Sequence, residues 1–324
     1  MPSFALRVTR LGLAGLGRLS PKLAGKLAFK LFCFTPSRRP RGEKAEEVHA
    51  RGRARLDAAE SVMLTFPEGR AMAYRLNGGA KGRRSRYLVV HGWGASSEYM
   101  SELAFFLAGT GAEVISLDLP GHGRSPGRFL NIRLAVAAVS AAAERFGAFD
   151  AAIGHSFGGA SLATAAAGLL PGIAPVLPKR LVLIGAPSTM GWLFADFGRV
   201  MGLGPSVQAA LEAEVGRVTG RRLADFDSGR GLSVVDRPVL VIPAEDDKEV
   251  SADHARAYAA AGDHVTLFWA NGFGHRRIVS APPVLNVVAE FLDKTRTDAT
   301  PENTLDTADE TVLSFSRTRV TRVS

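Results

Sequence analysis

Short apolar segments alternate with longer helical patterns from residue 61 to residue 293. Strands joined through helices usually run parallel, and a parallel sheet needs helices over both of its faces. The alternation therefore predicts an α/β fold, with a mostly parallel sheet flanked by helices on both faces and preceded by a hairpin. The predicted strands are residues 61–66, 70–76, 86–90, 113–118, 150–154, 180–185, 238–244 and 264–269, and the predicted helices are residues 98–109, 131–146, 157–170, 252–261 and 282–293.

The interval 187–236 breaks this alternation, because it separates two late strands by more residues than a helical crossover needs. It contains Trp192, Phe194 and Phe197, followed by a second helical pattern. We predict a small helical cap that lies over the carboxyl ends of the strands and shapes a substrate pocket. An ordinary extra layer of helices is the alternative.

The basic charge of the chain is concentrated at its N-terminal end. The formal net charge is +9, yet residues 1–42 hold nine Lys or Arg and no Asp or Glu, and the remaining residues carry 31 charges of each sign. Because the charges of residues 43–324 cancel, this part of the chain gives no electrostatic reason to expect a nucleic-acid partner. We interpret residues 1–60 as a basic amphipathic arm and linker, residues 61–293 as the α/β domain, and residues 294–324 as a disordered tail.

Residues 21–34 of this arm form an amphipathic pattern if they are helical. One interpretation is a helix that lies on an anionic membrane surface, which would give the protein a peripheral membrane contact through residues 1–42. The other, which we favour because amphipathic stripes usually face a core, is a helix that packs on the domain and exposes its lysines. The stripe consists of Leu23, Leu27, Leu31 and Phe34, flanked by Lys22, Lys26 and Lys30.

The remaining composition bears on compartment and cofactors. Cys33 is the only cysteine, so no intrachain disulfide can form, which fits a reducing compartment. The sequence has neither a metal-binding His/Cys pattern nor a glycine-rich nucleotide loop, and no segment reaches the ~20 apolar residues of a membrane span. We expect a cytoplasmic protein without metal or cofactor, located at the membrane only if the arm binds it. The oligomeric state is left unassigned.

Ser156 lies at the centre of "GHSFG" (154–158), between a predicted strand and a predicted helix. Gly-x-Ser-x-Gly in that position is typical of a nucleophile elbow, a sharp turn that exposes a serine hydroxyl. Gly154 and Gly158 would leave the space that such a turn needs, and the helix N-terminus would stabilise negative charge. The alternative is the ordinary beginning of a helix rich in Ala and Gly.

A nucleophilic serine requires a base and an acid that orients the base. His275 lies in a glycine-rich loop after the predicted strand 264–269, where its side chain can reach over the sheet. The loop after strand 238–244 supplies four acids, of which one should point inwards while the others face solvent. They are Glu245, Asp246, Asp247 and Glu249.

Five segments, in this order, resemble motifs of the α/β-hydrolase family over about residues 61–293. They are "HGWG" (91–94), "LDLPGHGRSPG" (117–127), "GHSFGG" (154–159), "EDDKEV" (245–250) and "GFGHRRI" (272–278). The resemblance implies the α/β-hydrolase fold in its serine-nucleophile branch, which contains esterases and lipases.

The resemblance also implies a role for each of five residues. Ser156 would be the nucleophile, His275 the base and Asp247 the acid. The backbone N–H groups of Trp93 and Phe157 would form the oxyanion hole.

These roles predict a serine hydrolase that cleaves a small-molecule carboxylic ester through an acyl-enzyme. A thioesterase, an acyltransferase or a carbon–carbon bond hydrolase could use the same triad. From another class, a catalytically silent hydrolase-fold protein that binds a ligand or partner is the alternative.

Overall fold

Eight strands form one sheet at the centre of the molecule, whose computed structural model describes residues 4–35, 37–40, 42–78 and 84–293. The strands are β1 (Glu60–Phe66), β2 (Gly69–Leu76), β3 (Arg86–Val90), β4 (Glu113–Asp118), β5 (Ala151–His155), β6 (Leu181–Ile184), β7 (Val239–Ile242) and β8 (Val265–Leu267). Their order is β1-β2-β4-β3-β5-β6-β7-β8. β2 pairs antiparallel with β1 and β4, and the pairs from β4 to β8 are parallel. The predicted mostly parallel sheet is confirmed, and the predicted tail lies outside the described residues.

Helices cover both faces of the sheet. Within the described ranges they are α1 (Phe4–Leu19), α2 (Pro21–Cys33), α3 (Glu43–Leu56), α4 (Ser101–Gly109), α5 (Ile132–Phe146), α6 (Phe157–Ala166), α7 (Gly191–Met201), α8 (Pro205–Thr219), α9 (Ser228–Gly231), α10 (Asp253–Ala259), α11 (Gly274–Arg277) and α12 (Pro282–Leu292). Leu88 and Val90 of β3 share one apolar core with α5 and α6, while Tyr87 and Val89 share the other with α4 and α12. The predicted helical layers on both faces are confirmed.

The burial of the strands explains why their bounds were predicted to within two residues. β5, β6 and β7 are buried along their whole length, so each requires a continuous apolar run. At the edge of the sheet, burial alternates along β1: Leu64 and Phe66 are buried, whereas Met63 and Thr65 are exposed. One face of β1 therefore meets solvent, and its sequence alternates accordingly.

The helices α7 and α8 and the short α9 lie between β6 and β7, where the cap was predicted over residues 187–236. Phe194 of α7 and Leu211 and Val215 of α8 are buried in the core shared with α5 and α6. The predicted helical cap between two late strands is confirmed.

The arm packs on the domain through α2, which lies against α8. The contact is tight, because a methyl group added to Gly25 would lie 2.5 Å from Cβ of Ala210 and 2.7 Å from the backbone nitrogen of Leu211. The leucine stripe instead faces solvent. Its exposed fractions are 57% for Leu23, 41% for Leu27, 38% for Leu31 and 47% for Phe34.

The expectation that this stripe faces a core is therefore wrong, although the lysines beside it are exposed as predicted. Ala24, Gly25 and Ala28 form the buried side of α2 together with Phe29 and Cys33. Small side chains let two helix backbones approach closely, which leucines on that side would prevent.

Backbone hydrogen bonds fasten the end of α2 to the loop that precedes α5. The N–H of Thr35 donates to the carbonyl of Arg128 at 2.9 Å, and the N–H of Leu130 donates to the carbonyl of Cys33 at 2.9 Å. Phe34 and Phe129 form an antiparallel bridge between these bonds. The described part of the arm is thus continuous with the domain.

Gly25→Ala is expected to lower the free energy of unfolding by about 1–3 kcal/mol, the usual cost of overpacking. The added methyl group meets backbone atoms of α8, which cannot move aside as a flexible side chain could. Helix propensity alone would favour alanine by about 1 kcal/mol, so any loss comes from the interface. Urea denaturation measures the difference.

Gly15→Ala on α1 is the matched control, because no heavy atom lies within 4 Å of its added methyl group. This variant should gain up to about 1 kcal/mol from helix propensity. Equal changes in the two variants would contradict the close packing of α2 on α8.

Candidate active site

Ser156 lies at a sharp turn between β5 and α6, at the carboxyl end of a central strand. Its backbone has φ 53° and ψ −123°, where residues with side chains are rarely found. A methyl group added to Gly158 would lie 2.4 Å from the carbonyl oxygen of His91, and one on Gly154 would lie 2.6 Å from Cα of Gly159. Both glycines therefore leave the space that the sequence pattern indicated.

His275 on α11 is hydrogen-bonded to Asp247, with 2.7 Å between Nδ1 and Oδ2, and both side chains are buried. The other oxygen of Asp247 accepts the N–H groups of Glu249 at 2.7 Å and Val250 at 2.9 Å. Burial raises the pKa of Asp247, but the hydrogen bonds from His275 and these two amides outweigh burial and lower it. The charged carboxylate holds the Nδ1–H tautomer of His275, so Nε2 is the basic nitrogen.

The other three acids of this loop have different partners and are exposed. Their hydrogen bonds are from the N–H of Gly272 to Asp246 (2.8 Å), from Arg256 to Glu245 (2.6 Å) and from Arg276 to Glu249 (2.7 Å). The carboxylate of Glu249 also lies 3.9 Å from Nε2 of His275. Of the four candidates, the structure joins only Asp247 to His275 by a hydrogen bond.

Trp93 and Phe157, the predicted oxyanion residues, both border Ser156. Phe157 is the first residue of α6, so its N–H has no acceptor within the helix. Trp93 lies in the loop after β3, and its indole meets the ring of Phe157 edge-on at 5.7 Å. The same loop approaches the serine closely, because a methyl group added to Gly92 would lie 2.8 Å from Cβ of Ser156.

A cavity of about 870 Å³ opens beside Ser156. Ser156, His275, Trp93 and Phe157 all line it, whereas Asp247 lies behind His275. The cap contributes a largely apolar wall that includes Met190, Trp192, Leu193, Phe194, Phe197, Val215, Leu223 and Phe226. Apolar walls with a few convergent polar groups are typical of a site for an apolar small molecule.

The arm supplies a further wall of this cavity, which the sequence reasoning missed. Phe29, Phe32 and Cys33 of α2 line the cavity. The ring of Phe32 stacks on Phe194 at 4.1 Å and meets Phe197 edge-on at 5.3 Å. The sequence did contain an indication of this wall: Phe29, Phe32 and Cys33 form a second apolar stripe, on the side of the helix away from the leucines.

Two buried histidines join the loop after β3 to the loop after β4. Nδ1 of His91 donates to the carbonyl of Gly92 at 2.7 Å, and its Nε2 accepts the N–H of Leu119 at 2.9 Å. Nε2 of His122 accepts the N–H of Gly94 at 3.0 Å. Each acceptor nitrogen must be unprotonated, and burial lowers the pKa of His91 to about 4 and that of His122 to about 3.

His155 joins the turn of Ser156 to the segment that carries His275. Its Nε2 donates to the backbone carbonyl of His275 at 2.8 Å. Burial, and to a lesser extent the neighbouring His275, lowers the pKa of His155 to about 3. Three neutral imidazoles thus hold together the loops that surround Ser156.

Comparisons with known proteins agree with this architecture. A sequence model of the family described as the alpha/beta hydrolase family matches residues 87–290, and no curated protein sequence matches the chain. An esterase from Pyrococcus furiosus is similar in structure, with a TM-score of 0.55, 16% identity, and coverage of 80% of this chain and 98% of that chain.

Two further solved structures are similar at comparable levels. A proline iminopeptidase from Mycobacterium smegmatis has a TM-score of 0.52 and 20% identity. The match covers 72% of this chain and 97% of the iminopeptidase chain. Est1E from Butyrivibrio proteoclasticus, with ferulic acid bound, has a TM-score of 0.52 and 17% identity. The match covers 71% of this chain and 96% of that chain. At such identities the likeness establishes the fold alone.

We expect unfolding to take up protons near pH 5. Unfolded histidine has a pKa of about 6.5, so below that pH the unfolded chain binds protons that His91, His122 and His155 do not bind when folded. The stability they contribute is complete above pH 6.5 and is lost as pH falls towards their lowered pKa values. Asp118 acts in the opposite sense, because burial raises its pKa to about 6. Near pH 5 the folded protein therefore holds a proton on Asp118 that the unfolded chain releases, which offsets one of the three protons taken up by the histidines.

The free energy of unfolding should therefore fall by about 3 kcal/mol per pH unit near pH 5, as measured by urea denaturation from pH 7 to pH 4.5. In His122→Gln, the amide oxygen can still accept the N–H of Gly94 but takes up no proton. Its slope should be smaller by about 1.4 kcal/mol per pH unit. A slope equal to that of the unmodified protein would refute a neutral, buried His122.

Proposed function

The chain belongs to the α/β-hydrolase family, and from this premise we propose that it is a serine hydrolase of carboxylic esters with apolar acyl groups. The observation that carries the proposal is that Ser156 and His275 line one apolar cavity, with His275 hydrogen-bonded to the buried Asp247. An esterase among the structures that share the fold is in keeping with it.

In the acylation step, Nε2 of His275 takes the proton of the Ser156 hydroxyl as Oγ attacks the ester carbonyl carbon. Asp247 stabilises the imidazolium that forms and does not take the proton itself. His275 then passes the proton to the departing alkoxide, which leaves as an alcohol. The acyl group remains on Ser156 as an ester.

The N–H groups of Trp93 and Phe157 stabilise the negative charge that develops on the carbonyl oxygen. Each such donor contributes roughly 3 kcal/mol to the stability of the transition state. Phe157 adds the positive end of the α6 dipole, because its N–H is the first of that helix.

Deacylation repeats these steps with water. His275 takes a proton from a water molecule as its oxygen attacks the acyl carbon, and then returns a proton to Oγ of Ser156. The carboxylic acid is released and the hydroxyl is restored. No cofactor enters either step.

Ser156→Ala is expected to lower kcat/KM for a p-nitrophenyl ester by about ten-thousand-fold or more, because the nucleophile is lost. Asp247→Asn should cause a loss of about the same order, because an amide favours the wrong tautomer of His275. Both are measured by ester hydrolysis. Covalent labelling with a fluorophosphonate, which reacts with activated serines, should also disappear in Ser156→Ala.

Asp246→Asn is the matched control for Asp247→Asn, since its exposed side chain accepts the N–H of Gly272 and does not reach His275. It should retain activity to within about threefold, a change of less than 1 kcal/mol. Ser140→Ala on α5 is the control for labelling. Full activity of Ser156→Ala, or equal losses in the two aspartate variants, would refute the proposed triad.

The apolar walls of the cavity predict that kcat/KM rises with acyl chain length. Burial of one CH₂ group is worth about 0.8 kcal/mol, or about fourfold for each methylene that finds room. We expect an increase from p-nitrophenyl acetate to the octanoate. A maximum at the acetate would contradict an acyl site in this cavity, and faster cleavage of the octanoyl thioester or anilide would contradict the preference for esters.

A further inference from the structure

We propose that the exposed side of α2 docks the protein on an anionic lipid bilayer. This side, the outer face, carries two neighbouring rows of exposed side chains along the helix. The apolar row is Leu23, Leu27, Leu31 and Phe34, and the basic row is Lys22, Lys26 and Lys30.

Half of the large apolar side chains that are exposed in the described residues lie in α1, in α2 or directly after α2. Of fourteen large apolar side chains that are exposed, seven lie between Val8 and Phe34. The row continues onto the domain, because the ring of Phe34 meets the exposed ring of Phe129 at 5.6 Å. A contiguous exposed apolar row, unlike apolar residues scattered singly, is typical of a site of interaction.

The charge of the outer face determines which partner fits it. Across the described ranges, no carboxylate lies within 4.0 Å of the ammonium groups of Lys22, Lys26 or Lys30. No acid occurs anywhere in residues 1–42. Anionic lipid headgroups offer the opposite charge beside an apolar phase that accepts the leucines.

Other partners fit this face less well. A second copy of the chain would bring two basic rows of the same sign together. A nucleic acid would neutralise the lysines but leave the leucines in water. A bilayer surface satisfies both rows at once, with the 13-residue α2 lying in its plane.

The inner side of the same helix already has another role, since Phe29 and Phe32 form a wall of the cavity beside Ser156. Removal of the arm would therefore open that cavity as well as remove the outer face. None of the helices in the described ranges is long and apolar enough to cross a bilayer. Substitutions confined to the exposed rows are the appropriate test.

The experiment is flotation of the full chain with vesicles of phosphatidylcholine, with and without phosphatidylserine. Binding is measured at about 0.1 M and about 1 M salt, between which the screening length falls from about 10 Å to about 3 Å. We expect binding to the phosphatidylserine vesicles at low salt, release at high salt, and no binding to phosphatidylcholine alone.

Two sets of variants separate the rows. Changing all three lysines of the basic row to Gln should weaken binding about 100-fold, or about fivefold for each charge. Leu23→Ser with Leu27→Ser should weaken it by about tenfold or more for each leucine, since both side chains enter the apolar phase. The charge-matched control is Arg70→Gln with Arg230→Gln and Arg237→Gln, three exposed arginines of the domain, which should bind as the unmodified protein does.

Several outcomes would overturn the proposal. They are the absence of binding to phosphatidylserine vesicles at low salt, equal loss in the control, and unchanged binding of the leucine variant, which would indicate attraction of polyanions by charge alone. A leucine-dependent dimer without lipid would assign the face to a second copy. Flotation is also run with Ser156→Ala, so the result does not depend on the proposed hydrolase activity.

Discussion

The backbone of Ser156 adopts a conformation that most residues avoid, and the surrounding architecture depends on holding it there. A positive φ at a residue with a side chain costs about 1–3 kcal/mol, and it persists only where neighbouring structure enforces it. Here β5 and α6, both buried throughout, supply that support. The glycines at 154, 158 and 159 follow from the same requirement, because the backbones of the turn, α6 and β3 pass too close for side chains.

Neutral histidines extend this support from the turn to the surrounding loops. His91 and His122 join the loops after β3 and β4, and His155 joins the turn to His275. His91 and His122 accept backbone N–H groups at unprotonated ring nitrogens, so the burial that lowers their pKa values also preserves these two bonds. The geometry around Ser156 is therefore linked to the protonation of residues that take no part in the proposed reaction.

One side of helix α2 packs on the domain, and the opposite side is exposed to solvent. Its small residues bring it close to α8, which places Phe29 and Phe32 on the cavity wall beside the cap. That orientation leaves the leucine row in solvent with the lysines. The close contact around Gly25 thus determines both the shape of the cavity and the character of the outer face.

The residue pattern alone predicts the sheet, the helical cap and the turn at Ser156. Strands buried on both faces require continuous apolar runs, and a sharp strand-to-helix turn requires glycines at set spacing. The side of α2 that packs follows from tertiary contacts instead, because the helix has two apolar stripes and the choice between them depends on the approach of α8, which is distant in the chain. Residue patterns alone left four acids open in the loop after β7, the family resemblance selected Asp247, and the structure places Asp247 against His275. The amides of Glu249 and Val250 hold one oxygen of Asp247 while the other meets His275, and the order of the acids in the chain does not specify these contacts.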